Sequence, residues 1–121
     1  MGEESIDFTS SPRHSIGVEI EFQVIHSESF ELVPLAPILQ KMAPPVLQPR
    51  ISQELIKPIL ELQTGICRDL RDVENDLLQT GSLAEELAAD NGCLLYAASL
   101  HPFAIAEEQE LSSNERYRRI M

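Results

Sequence analysis

The sequence predicts an α+β fold in which one sheet carries helices on one of its faces, and three stretches predict it. Residues 15–25 alternate apolar and polar side chains, the period of a half-buried strand. Residues 70–90 repeat apolar side chains at helical spacing. Two short apolar runs, 59–67 and 93–100, flank that helix and read as strands.

In chain order, residues 1–14 are polar and irregular and are expected to form a loose lead-in. From Ser15 to Ile25, the side chains of Ile16, Val18, Ile20, Phe22 and Val24 point one way. Gly17, Glu19, Glu21 and Gln23 point the other. A turn over His26–Glu31 leads into a short Phe30–Val33 strand that can pair back as a hairpin. Pro34 and Pro37 open a short helix over Ala36–Met42, which Ala43-Pro44-Pro45 ends. Val46–Ser52 is proline-punctuated and reads as extended. Ile59–Cys67 reads as an interior strand, with Pro58 confined to its start.

For Leu70–Asp90 the apolar stripe is Leu70, Val73, Leu77, Ala84, Leu87 and Ala88. Asp69 is placed to cap the helix and Asp72 to favour its first turn, while Asn91-Gly92 supplies a stop. Gly81 costs roughly 1 kcal/mol relative to Ala and allows a kink. Cys93–Leu100, bounded by Gly92 and Pro102, reads as a buried strand. The tail from Glu107 is charged and ends on Arg116, Tyr117, Arg118 and Arg119. A single sheet with helices on one face buries the apolar side of every element.

The composition narrows the function. The chain has 121 residues and a net charge of −11, enough for one modest core. That charge argues against nucleic acid or an anionic membrane, because phosphate affinity needs clustered Lys and Arg. Aromatic residues are scarce and Trp is absent, so no wide stacking platform is expected. The two cysteines, Cys67 and Cys93, make no disulfide framework, and no apolar run approaches membrane-spanning length. The expected compartment is the cytoplasm, with both thiols reduced.

Chemistry centres on acids. Glu19 and Glu21, at i and i+2 on a strand, share a face about 7 Å apart. Either that face is solvated, or a divalent cation such as Mg²⁺ sits between the two carboxylates. Glu61 lies between Leu60 and Leu62, where a buried acid without a partner would be costly. It is either an outward-facing acid on a half-exposed strand or the third member of a carboxylate cluster. His14 and His26 lack partners at metal spacing and read as ordinary polar residues. Cys67 reads either as a buried structural cysteine or as a reactive thiol, the first favoured because no His is near it in sequence, and Cys93 reads as packing.

Four segments then resemble one known family. SIGVEIEFQVI is similar to the opening strand of the bacterial carboxylate–amine ligases related to glutamate–cysteine ligase, the type 2 group. ILELQTGICRDL resembles that family's second hallmark, SLHPF its third, and ERYRRI the Arg-Tyr stretch that follows. They occur in the family's order across almost the whole chain. The resemblance implies that residues 15–121 are the N-terminal part of a glutamine-synthetase-like catalytic domain, with a largely antiparallel sheet as its floor. It implies that ATP phosphorylates a glutamate-like carboxylate and that an amine, such as that of cysteine, displaces the phosphate to give an amide. Mg²⁺ would offset phosphate charge, which suits the absence of a G-x-x-x-x-G-K-[ST] loop. Carried over by motif, Glu19, Glu21 and Glu61 match metal ligands. Thr64, Gly65, Cys67, His101 and Arg116 match the substrate-binding segments, with Arg116 suited to a carboxylate or phosphate.

The sequence departs from the family pattern in places. Ile20 stands where many relatives have a third acid, and Leu100 replaces the Thr that usually precedes the His. The family's later His-x-His strand, further metal acids and basic ATP-binding segments do not occur in these residues, so little or no turnover is expected of the chain alone. Half of a larger sheet would also leave an exposed edge and an apolar face, from which homo-oligomers are expected. The alternative function is a non-catalytic acidic interaction module that keeps the fold without a complete site. A third reading makes the Leu70–Asp90 helix a docking surface.

Overall fold

The computed structural model describes residues 9–10, 14–113, 115 and 119. Strand β1 (Glu19–His26) sits inside a four-stranded sheet. Helix α1 (Ala36–Met42) precedes β2 (Ile51–Gln53) and β3 (Ile59–Gln63); helix α2 (Leu70–Asp90) and β4 (Cys93–Tyr96) follow. The order across the sheet is β2-β3-β1-β4, and every pairing is antiparallel. The α+β class and the antiparallel sheet are therefore as expected, and both helices pack on the same face.

That face holds the core. Val24, Leu39, Leu47, Ile51, Leu60, Leu62, Ala84 and Ala88 are all at most 2% exposed and form one cluster. Burying a Leu or Ile side chain contributes about 1.5–3 kcal/mol, so this cluster dominates the stability. Helix α2 spans the expected residues without interruption. The Asp69 carboxylate accepts the Asp72 N–H at 2.9 Å. The helix stops where Gly92 takes φ +71°, a conformation that glycine adopts without strain. Gly81 is not a break: a Cβ there would meet Leu62 Cδ2 at 4.0 Å, so the helix packs closely over β3. Within the expected stripe Leu70 is the exception, 76% exposed at the first turn, before the helix reaches the sheet.

Four strand expectations change. Phe30–Val33 forms a single bridge, Ile25 to Leu32, because Phe30 takes φ +60° and cannot continue a strand. Val46–Ser52 is not extended throughout, since Gln48–Arg50 makes a 3₁₀ turn before β2 begins at Ile51. β3 ends at Gln63 rather than Cys67. Glu19 faces Gln63, and Thr64 N–H donates to Val18 O at 2.9 Å, yet Ile16 pairs with Cys67 rather than Ile66. One extra residue is thus inserted on the β3 side, a bulge. Finally, β4 ends at Tyr96 and is an edge strand with only Cys93 buried; Leu94 and Tyr96 are 42% and 40% exposed.

The register also separates the thiols. Cys67 pairs with Ile16, ahead of β1, and Cys93 with His26 at its end, about 30 Å apart along the chain at strand rise, so no bridge can join them.

Candidate metal centre

The sheet's other face carries the acids. Antiparallel pairing sets Ser52, Glu61 and Glu21 in one row across β2, β3 and β1. Directly opposed side chains lie about 5 Å apart at Cβ, where like charges destabilise a sheet. Glu54, one residue past β2, turns into the same place. Carboxylate oxygens of Glu21, Glu54 and Glu61 lie within 4.8 Å of one another. Opposed ligands across an Mg²⁺ stand about 4 Å apart, from bonds of about 2 Å, so small rotamer changes close this set on a hard cation. The donor chemistry fits: all three are carboxylates, the oxygen ligands that hard cations prefer.

Electrostatics mark Glu61 as the strained member. Its pKa is pushed up to about 7. Desolvation contributes most, followed by a hydrogen bond shared with Glu54 and by the charges of Glu19 and Glu54. The Ser52 hydroxyl opposes this by donating to Glu61 Oε1 at 3.2 Å. Without a cation, this corner keeps a proton that ordinary glutamates have already lost.

Of the expected metal acids, Glu21 and Glu61 meet as the row requires. Glu19 stands outside the three-oxygen set and acts on Glu61 through its charge. Glu54 was not anticipated. Nothing in its local pattern marks it, and only the pairing of Ser52 with Glu61 brings it in.

The expected substrate residues are spread around the sheet. Thr64 Oγ1 accepts the Val18 N–H at 3.0 Å and so replaces a backbone acceptor at the bulge. Gly65 N–H donates to Asp76 Oδ2 at 3.0 Å. A Cβ on Gly65 would lie 2.5 Å from an Arg50 guanidinium nitrogen, so the absent side chain leaves room for Arg50, which pairs with Asp76 at 3.6 Å. Cys67 is buried with its Sγ 3.4 Å from Gly65 O. These three hold the end of β3 in shape, and Cys67 lines a cleft of about 340 Å³ against the start of α2. His101 Nδ1 accepts the Phe103 and Ala104 N–H groups at 3.3 and 3.1 Å, which leaves the proton on Nε2 to donate to Phe30 O at 2.7 Å. Arg116 lies outside the described residues.

Comparison with known proteins places the chain in a family. Residues 15–121 match the model of glutamate–cysteine ligase family 2. The chain belongs to that family. Among relatives provisionally named glutamate–cysteine ligase 2, the protein of Mycolicibacterium paratuberculosis is 36% identical over 116 residues, covering 96% of this chain and 30% of its own length. That of Gloeobacter violaceus is 32% identical over 119 residues, covering 97% of this chain and 32% of its own. A Mycobacterium tuberculosis relative is 35% identical over 112 residues, 93% of this chain and 29% of its own. This family member therefore spans about a third of the length of the curated relatives it matches. It is a ligase-family chain, and among its described residues no helix is long and apolar enough to cross a membrane.

Proposed function

We propose that this chain supplies the metal-binding sheet of an ATP-dependent carboxylate–amine ligase with a glutamine-synthetase-like fold. The observation that carries the reading is the convergence of Glu21, Glu54 and Glu61 on one point of the sheet face turned away from α1 and α2. An uncompensated acid cluster costs stability, and a bound Mg²⁺ removes that cost. Glu21, Glu54 and Glu61 would hold the ion, and Glu19 would add negative charge beside it. When bound, Mg²⁺ supplies charge neutralisation for the phosphates of ATP.

In the reaction proposed, an oxygen of a glutamate-like carboxylate attacks the γ-phosphorus of ATP, and ADP leaves with the electron pair of the broken P–O bond. The amine nitrogen then attacks the acyl carbon. Phosphate leaves, the nitrogen loses a proton, and an amide remains. The protein's part is to orient the reactants on a rigid floor. The bulge at Thr64–Cys67 and the Arg50–Asp76 pair fix the end of β3. Two free thiols too distant to bridge suit a reducing cytoplasm.

Calorimetric titration tests this reading. Mg²⁺ binding to the 121-residue chain should tighten when ATP is added, because the phosphates complete the coordination. Identical Mg²⁺ binding with and without ATP, together with unchanged binding in Glu21→Gln, would favour the acidic interaction module.

A further inference from the structure

Of the three converging acids, Glu54 alone stands outside a strand. Glu21 lies within β1 and Glu61 within β3, but the last pairing of β2 with β3 is Gln53 with Leu60. Residues 54–58 form the loop between those two strands. Its second half is fastened to the core, since Lys57 O accepts the Ala36 N–H at 3.1 Å and Pro58 O the Val24 N–H at 2.7 Å. Its first half, which carries Glu54, is fastened by a segment 58 residues further on. The Ser112 hydroxyl donates to Glu54 O, and the Ser112 N–H donates to Leu55 O at 2.8 Å. Beside it, Leu111 bridges to Ile56, and the Lys57 N–H donates to Glu110 O at 2.8 Å. Ser112 itself is buried, 4% exposed.

We propose that Ser112 is a positioning residue for the cation site: by holding the main chain of Glu54, it keeps that carboxylate beside those of Glu21 and Glu61. The inference rests on the metal reading above and adds to it the segment 110–112, which lies outside the three-carboxylate set. Three observations lead there. A buried hydroxyl needs a partner, and Ser112 places its own on the carbonyl that follows the end of the β2–β3 ladder. Repulsion among the three acids acts to swing the loop outward, because Glu54 is the member that no ladder restrains. A backbone shift at residue 54 is carried straight to its carboxylate, and a metal site tolerates only about 0.5 Å of misplacement. The neighbouring ion pair of Lys57 with Glu110 is a weaker tie. Its side chains are 31% and 60% exposed, and such pairs contribute at most about 1 kcal/mol. The buried Ser112 contacts are therefore what sets the loop.

A double-mutant cycle read by Mg²⁺ calorimetry on the 121-residue chain tests the assignment. Ser112→Ala should weaken Mg²⁺ binding about tenfold, as loss of an outer-shell partner does. In a Glu54→Gln background the same change should alter affinity by less than about twofold, because the ligand it positions is already gone. Asp69→Ala, which removes the α2 cap far from the acids, should lower the denaturation midpoint and leave Mg²⁺ affinity within about twofold of the parent. A second measurement needs no Ser112 variant. By reciprocity, saturating Mg²⁺ should slow hydrogen exchange of the Ser112 amide about tenfold in the parent and leave it unchanged in Glu54→Gln. Parental Mg²⁺ affinity in Ser112→Ala, an equal loss in both backgrounds, or a Ser112 amide indifferent to Mg²⁺ would overturn the positioning role and leave the metal reading standing. Absent Mg²⁺ binding in the parent sinks the metal reading and the positioning role with it.

Discussion

The two faces of this one sheet are built to opposite rules. Towards α1 and α2, neighbouring strands oppose Leu60 to Phe22 and Leu62 to Ile20; Leu60 and Leu62 are sealed from water, and Phe22 and Ile20 are half-buried beside them. On the other face the same strands oppose Glu61 to Glu21 and Ser52 to Glu61, with Glu54 leaning in. The first arrangement is what a stable fold requires. The second weakens the fold, because like charges meet across strands in a partly desolvated corner. The covered face stabilises enough to tolerate the open one, and an arrangement that costs stability locally is where a ligand site is expected.

Substitutions sharpen that contrast, and the largest effect belongs to the covered face. Leu60→Ala or Leu62→Ala, each at a position 1% exposed, should cost about 2–5 kcal/mol in chemical denaturation, enough to unfold a marginal domain. Asp69→Ala removes the acceptor that caps α2 and should cost about 1 kcal/mol in the same measurement. On the open face the sign reverses. Glu54→Gln or Glu21→Gln should leave the metal-free protein equally stable or more stable, by up to about 1 kcal/mol, since a repulsion is relieved. The same changes should weaken Mg²⁺ binding at least about tenfold, as even outer-shell changes at metal sites do. A Glu54→Gln protein that loses stability without losing metal affinity would erase the distinction between the faces.

The smallest effect is a pH dependence, and its sign follows from Glu61. Its folded-state pKa, about 7, lies above the 4.5 of an ordinary glutamate. The folded protein therefore binds the extra proton between those values. The stabilisation tied to that proton is complete below pH 4.5 and is lost as pH rises through about 7. Metal-free thermal stability should thus decline gently across that window in the parent and not in Glu61→Gln. Mg²⁺ affinity should move the other way, rising with pH as the proton that competes with the ion leaves.

Much of the covered face was legible in the sequence and less of the open one. Helical periodicity and local end signals are short-range, so α1 and α2 fall on the expected residues. The alternation of β1 likewise assigned Glu19 and Glu21 to one face. What failed depended on distant chain. Leu70 satisfies the helical stripe but precedes the point where α2 meets the sheet, so it stays exposed. The run Cys93–Leu100 is apolar enough for an interior strand, yet β4 lies at an edge and its outer face lines a cavity. The end of β3 turned on a bulge that only the pairing of Ile16 with Cys67 reveals. Glu54 was invisible for the same reason, because membership of the acid set is decided by register across β2 and β3 rather than by any spacing along the chain.

The central claim is that the acids of the open face, rather than the chain's general negative charge, hold a divalent cation. Paramagnetic broadening by Mn²⁺, a stand-in for Mg²⁺, locates the ion directly in an amide NMR spectrum. The signals of Glu21, Ser52 and Glu61 should broaden first at substoichiometric Mn²⁺, and Glu54→Gln should suppress that broadening. Broadening centred on the exposed acids of α2, Glu74, Glu85 and Glu86, or spread evenly over the surface, would contradict it.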